Sequence, residues 1–223
     1  MRWTYTRMDT SSSFQFGHAM SIYALKPKFQ ALLRPLTRAL FAAGVTANQV
    51  TLSACVISVA LGLWLSAVPD PVLFLLIPLW MFLRMAFNAI DGMLAREFGQ
   101  KSPLGAYLNE LTDVISDACL YLPFAFLACF ELLWVSVFIA LSIIVEMSGV
   151  IGLMVGASRR YDGPFGKSDR AFVIGALALA VGLGMPAQSW QQWVFPVLSL
   201  LCGWTIVRRV RSGLAEARDK AAA

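Results

Sequence analysis

The chain has 223 residues, 58% of them hydrophobic and only 14% charged, with a net charge of +5 and a mean hydropathy of +0.68. A soluble domain of this length carries about a quarter charged residues, so these values exclude that class and predict an all-α, polytopic membrane protein. Nothing in the chain resembles a nucleic-acid-reading module, so no nucleic-acid partner is expected; the basic surplus suits anionic membrane lipid.

Taken in chain order, residues 1–21 form a polar tail holding the single histidine, His18, with no continuous apolar stretch of a secretory signal. From 22 to 44, Ile22, Leu25, Phe29, Leu32, Leu33, Leu36 and Leu40 recur at steps of three and four, with Lys26, Lys28, Arg34 and Arg38 among them. That pattern predicts an interfacial amphipathic helix, kinked at Pro35 and ended by Gly44. Thr46 then stands where the next helix needs an N-cap.

A membrane-crossing helix takes about twenty apolar residues. Six such stretches are readable: Asn48–Ala67, Val72–Asn88, Leu104–Ala128, Leu132–Ala157, Ala171–Gly184 and Trp190–Val207. They define a membrane domain over 45–209, followed by a basic, alanine-rich tail over 210–223. All 18 Lys and Arg lie before the first stretch, beside the turns after the second and fourth, or after the sixth. The positive-inside rule therefore places both termini and these two loops in the cytoplasm. Cys55, Cys119, Cys129 and Cys202 sit within or at the ends of apolar stretches, without the spacing of a metal site or disulfide framework.

Polar residues inside such a sequence are costly to bury and mark function. The second stretch carries Arg84, Asn88, Asp91 and Ala95 at steps of four, three and four, one helical stripe. The third carries Gly105, Asn109, Asp113 and Asp117 four apart, again on one face. A short turn with Gly99, Ser102 and Pro103 joins them. The two stripes are thus predicted to form one cytoplasm-facing cluster whose oxygen ligands suit a hard cation, Mg²⁺ or Mn²⁺. Gly92 and Gly105 leave room for close approach to the backbone, and the Arg96 guanidinium suits a phosphate. A polar network that merely joins two helices is the alternative.

These residues resemble the signature of the CDP-alcohol phosphotransferases, Asp-x2-Asp-Gly-x2-Ala-Arg-x8-Gly-x3-Asp-x3-Asp. Asp91, Gly92, Ala95, Arg96, Gly105 and Asp113 match it, while Asn88 and Asn109 stand where it has Asp. Thr46-Ala47-Asn48-Gln49 resembles the family's Thr-Pro-Asn segment. The resemblance implies transfer of a phosphatidyl group from CDP-diacylglycerol to an alcohol acceptor with release of CMP, in a homodimer at a bacterial inner membrane. It implies metal ligation of one or two ions by Asn88, Asp91, Asn109 and Asp113, with Asp113 as general base. It further implies contacts to the CDP-lipid from Thr46, Ala47, Asn48, Gln49, Gly92, Arg96 and Ser102. Two amides in place of carboxylates remove two negative charges, so one tightly held dication and a weak second are expected, unless Glu110 or Asp117 compensates.

Between the fourth and fifth stretches, Arg159, Arg160, Lys167 and Arg170 are expected to embrace an anionic group of the acceptor. Arg84, Asp117 and Glu146 lie deep in the apolar stretches and are expected to pair with one another or with the polar cluster. A non-enzymatic membrane protein is the competing class: a lipid-binding relative without turnover, or a transporter.

Overall fold

In a computed structural model, residues 22–186 and 188–222 are described, with side chains from residue 28 onward. The polar tail and His18 lie outside them. The described residues form seven α-helices and no strand: α1 (Ile22–Ala42), α2 (Ala47–Ala67), α3 (Leu76–Glu97), α4 (Pro103–Tyr121), α5 (Leu132–Met154), α6 (Lys167–Gly182) and α7 (Val194–Ala222). Short 3₁₀ turns at Pro71–Leu75, Leu122–Phe126 and Ser189–Trp193 lead into or out of them.

The two helix starts beside the site have a chemical cause. Thr46 Oγ accepts from Gln49 N at 3.3 Å and Gln49 Oε1 accepts from Thr46 N at 2.9 Å, a capping box that satisfies two orphan donors of α2. Ser102 caps α4 by accepting from Gly105 N at 2.9 Å, with Pro103 at the first helical position. The predicted kink does not interrupt α1, which runs through Pro35 to Ala42.

Four helical segments are long and apolar enough to cross a membrane by length and composition: Ala47–Ala67, Pro71–Glu97, Leu132–Met154 and Ser189–Ala222. The other two predicted crossings differ for physical reasons. Helix α4 carries Glu110, Asp113 and Asp117, and it gives way to the 3₁₀ turn around Pro123, well before Ala128. Helix α6 has 16 residues. The tail expected over 210–223 is no separate segment, because α7 continues unbroken to Ala222.

Helix α2 packs on α3 and α4, α5 on α7, and α6 on α3. Helix α1 lies along the C-terminal half of α3: Leu33 and Leu40 meet the cluster of Ile90, Met93 and Leu94, Phe41 stacks near Phe98 with centroids 4.7 Å apart, and Arg34 donates to Glu97 at 2.9 Å. Leu32, Leu36 and Phe41 stay exposed beside that contact, the apolar face an interfacial helix would set into lipid.

The two ends of the bundle are chemically opposite. At one end, the basic segments are tied together through Arg34–Glu97, Arg159–Glu110 and Arg160–Glu216. At the other, the buried rings of Phe74, Phe124, Phe130, Phe138 and Phe195 meet across four elements, with centroids 5.1 to 5.8 Å apart. Edge-on and tilted contacts of this kind add to what burial alone supplies.

Close approach of α2 and α4 depends on Gly62, where an added Cβ would lie 2.1 Å from the Cys119 carbonyl oxygen. Small residues at helix crossings serve this purpose in membranes. Gly62→Val is expected to push α2 off α4 and destabilise the fold by at least about 1–3 kcal/mol. A thermal unfolding midpoint in detergent equal to that of the parent protein would contradict this.

Candidate functional site

The site is a cavity of about 640 Å³ at the basic end, between the N-terminal turns of α2 and α4 and the C-terminal turns of α3. Helical periodicity places its floor: Asn88 and Asp91 from α3, Asn109 and Asp113 from α4. Its walls hold Ala47, Asn48, Gly92, Arg96, Ser102 and Gly105, so eleven of the residues marked in the sequence line one space, with Ala95.

Thr46 and Gln49 are not among the lining residues. Each side chain accepts from the other's backbone N–H in the capping box, which builds the turn beside the cavity. Gly105 lines the cavity. Its missing Cβ leaves room for Asn48 Oδ1 and Ser102 Oγ, which would lie 2.9 and 3.1 Å from such an atom. Both groups thereby reach the cavity wall. Gly92 similarly clears space for the Arg96 guanidinium.

Three polar lining residues, and Ala106, went unmarked in the sequence. Thr51, one turn into α2, has its hydroxyl 2.7 Å from Asp91 Oδ2 and 3.0 Å from the Ala47 carbonyl, so one proton serves two acceptors and the shorter contact goes to Asp91. Gln100 accepts from Ala47 N at 2.6 Å, stitching the α3–α4 turn to the start of α2. Lys101 adds a cation at the rim. Thr51 is buried, and Thr51→Val keeps its shape while deleting its hydroxyl contacts with Asp91 and the Ala47 carbonyl. A hydrogen bond to a charged group contributes about 1.5–3 kcal/mol, and a loss of that size is expected in detergent unfolding. An unchanged unfolding curve would show the bond to be idle.

Beneath the floor, Arg84 is buried and spans two carboxylates. It donates to Asp113 Oδ1 at 2.9 Å, to the Asp113 carbonyl at 3.1 Å and to Asp117 Oδ1 at 2.5 Å. Lys167, at the start of α6, pairs with the other Asp113 oxygen. Asp113 is thus held between two cations. Arg84 joins the polar cluster, as expected, while Glu146 joins a separate one.

The four cations expected to surround an acceptor anion are each paired with a carboxylate. Arg160 turns away to Asp162, at 2.7 and 2.9 Å, and to Glu216 on α7. The guanidinium holds the Asp162 carboxyl below its ordinary range by direct hydrogen bonding. Arg159 pairs with Glu110, and Arg170 donates to Glu146 Oε1 at 2.7 Å. A further cation, Arg209 of α7, lies 3.7 Å from Glu146 Oε2. In the sequence it reads as one more basic residue after the last apolar stretch; only the continuation of α7 carries it back over α5.

The cavity's donors are all oxygens: two carboxylates and two amides. That set fits a hard divalent cation, although no group of three or more His, Cys, Asp or Glu side chains placed to hold a metal occurs among the described residues. With Asp113 already facing Arg84 and Lys167, the negative charge on offer matches one dication better than two.

A second, apolar groove of about 740 Å³ runs between α3 and α6, lined by Pro78, Met81, Phe82, Met85, Phe172 and Leu179. It shares Asn88 with the polar cavity, and its Lys167 pairs with Asp113 of that cavity.

The family model for CDP-alcohol phosphatidyltransferase matches residues 44–206. Over 195 residues the chain is 45% identical to inner membrane protein YnbA of Escherichia coli strain K12, covering 87% of this chain and 97% of that protein. Its fold is similar to that of phosphatidylinositol phosphate synthase PgsA1 of Mycobacterium tuberculosis in complex with manganese and citrate. There the TM-score is 0.68 at 21% identity, over 81% of this chain and 88% of the other. With PgsA1 bearing CDP-DAG, the TM-score is 0.65 at 19% identity, over 82% and 92%.

Proposed function

Because the chain belongs to the CDP-alcohol phosphatidyltransferase family, we propose that it transfers a phosphatidyl group from CDP-diacylglycerol to an alcohol, releasing CMP at the cytoplasmic face of an inner membrane. One observation carries this reading: Asp91, Gly92, Ala95, Arg96, Gly105 and Asp113 line a single cavity at the basic end of the bundle. The inner-membrane relative and the four apolar helices support the location. In the same reading α4 and α6 complete six crossings, their charges turned inward, and α1 lies on the membrane surface.

The chain's own groups divide the work. Arg96, at the rim, pairs with a phosphate of the CDP group, while Asn48 and Ser102 offer hydrogen bonds to the rest of it. The apolar groove between α3 and α6 takes an acyl chain, which sets the lipid-linked phosphorus near Asn88. Asp113 removes the proton from the acceptor hydroxyl. The hydroxyl oxygen then bonds to that phosphorus, and the bond to the bridging oxygen breaks. CMP leaves with the electron pair, and the proton stays on Asp113 until solvent takes it. A divalent cation held by Asp91, Asp113 and the amide oxygens of Asn88 and Asn109 supplies charge neutralisation for the diphosphate. Arg84 holds one Asp113 oxygen and Lys167 pairs with the other, which fixes the carboxylate.

The test is CMP release by the purified full-length chain from CDP-diacylglycerol with Mg²⁺ or Mn²⁺ and a panel of alcohols. Release with at least one alcohol is expected. No release from the parent protein, nor from the Asn88→Asp/Asn109→Asp double variant, would favour a lipid-binding relative without turnover. In a metal titration, one tight site is expected; two equally tight sites would overturn the charge argument.

A further inference from the structure

Both carboxylate oxygens of Asp113 face a cation, Arg84 on one and Lys167 on the other. The two cations are held very differently. The Arg84 side chain is 7% exposed and donates to Asp113 Oδ1, to the Asp113 carbonyl and to Asp117. The Lys167 side chain is 34% exposed, and Asp113 is its one ion-pair partner among the described residues. An ammonium on a four-carbon stem is a mobile point charge with three donors, whereas a guanidinium forked between two carboxylates is not.

The backbone that carries Lys167 is pinned. Gly166 N donates to Asp169 Oδ2 at 2.9 Å and Phe165 N to Thr205 Oγ1 at 3.1 Å, with Phe165 itself buried. The base of the lysine therefore stays in place while its head turns. Lys167 and Asn88 line the same apolar groove, and Asn88 also lines the polar cavity beside Asp113. The ammonium thus stands where the two spaces join. That junction is where the transferase reading sets the lipid-linked phosphorus.

A general base needs an oxygen open to the hydroxyl it deprotonates. With a cation on each Asp113 oxygen, one of the two has to give way, and only Lys167 is built to do so. An arriving diphosphate supplies the counter-charge that draws it off. Negative charge then develops on the departing CMP, and a donor already aimed at that place lowers the barrier.

We infer that Lys167 is a further catalytic residue, which exchanges Asp113 for a phosphate of the CDP-lipid and so frees the base as it clamps the leaving group. The inference rests on the transferase reading above and deepens it at the donor side. The ammonium keeps its three protons throughout. The hydroxyl proton goes to Asp113, the hydroxyl oxygen bonds to phosphorus, and CMP takes the electron pair of the broken bond. Turned to the phosphate, the lysine also leaves its Asp113 oxygen to the divalent cation that the site fits.

Calorimetric titration of the full-length chain in detergent decides it, with a short-chain CDP-diacylglycerol as ligand and Mg²⁺ held constant. Lys167→Met is expected to weaken binding about tenfold, the lower end for a hydrogen bond to a charged group. In the same variant kcat for CMP release should fall about 10²-fold. Lys167→Gln, with a polar head at this partly exposed position, should do the same if Lys167→Met fails to fold. The Asp113→Asn background separates contact with the phosphate from mere support of Asp113. A lysine that only holds that carboxylate costs nothing to remove once the carboxylate is gone, whereas the inferred contact still costs about tenfold there. Binding unchanged from the parent in both lysine variants overturns the inference, as does a loss that vanishes in Asp113→Asn. In either case CMP release by the parent leaves the transferase reading standing, whereas a parent that binds no CDP-diacylglycerol overturns both.

Discussion

Asp113→Asn is expected to lower CMP release by about 10²–10⁴-fold, the usual contribution of a positioned general base. The substitution is close to isosteric. Its amide oxygen can still accept from Arg84, and the backbone carbonyl at 113 still receives the second Arg84 bond. What disappears is the negative charge and the basicity facing the cavity, together with the partner of Lys167. Folding is therefore preserved while proton removal is not, and a thermal midpoint near that of the parent checks the first half. Turnover within a few-fold of the parent would remove Asp113 from the mechanism.

Arg84→Ala tests stability rather than chemistry and has the largest expected structural effect. The guanidinium and the Asp117 carboxylate are both almost fully buried, with side-chain exposures of 7% and 8%. Deleting one partner strands the other in an apolar interior, which costs about 3–5 kcal/mol in pairs of this kind. The double variant Arg84→Met/Asp117→Leu removes both charges and should recover most of that loss. Denaturant titration in detergent distinguishes the outcomes. A single-variant loss below about 1 kcal/mol would class the pair with exposed ones.

Much of the site was legible because helical spacing is a geometric rule. Steps of three and four put Asn88, Asp91, Asn109 and Asp113 on facing stripes, and the short turn at Gly99–Pro103 left the two helices no other arrangement. Thr51 escaped because a threonine inside an apolar helix reads as packing, and only the path of α3 shows that Asp91 lies within reach. Arg159, Arg160, Lys167 and Arg170 read as an anion cradle because charge was counted along the chain. Their partners, Glu110, Glu146 and Glu216, come from three other helices, and no local pattern announces them. The assignment of crossings by hydropathy was sound where a helix is apolar all round, as in α5. It lost its footing at α4, whose carboxylates face inward toward Arg84 and Arg159 and lower the average without changing the path.

The ring cluster of Phe74, Phe124, Phe130, Phe138 and Phe195 carries a consequence for the whole cell envelope. The rings fill the bundle at the end away from the basic segments. On the transferase reading, reactants therefore enter and CMP departs through the one basic mouth, and the lipid product leaves along the groove between α3 and α6. Each such turnover swaps one lipid headgroup for another within a single leaflet, and carrying the new lipid to the other half of the bilayer falls to some other machine.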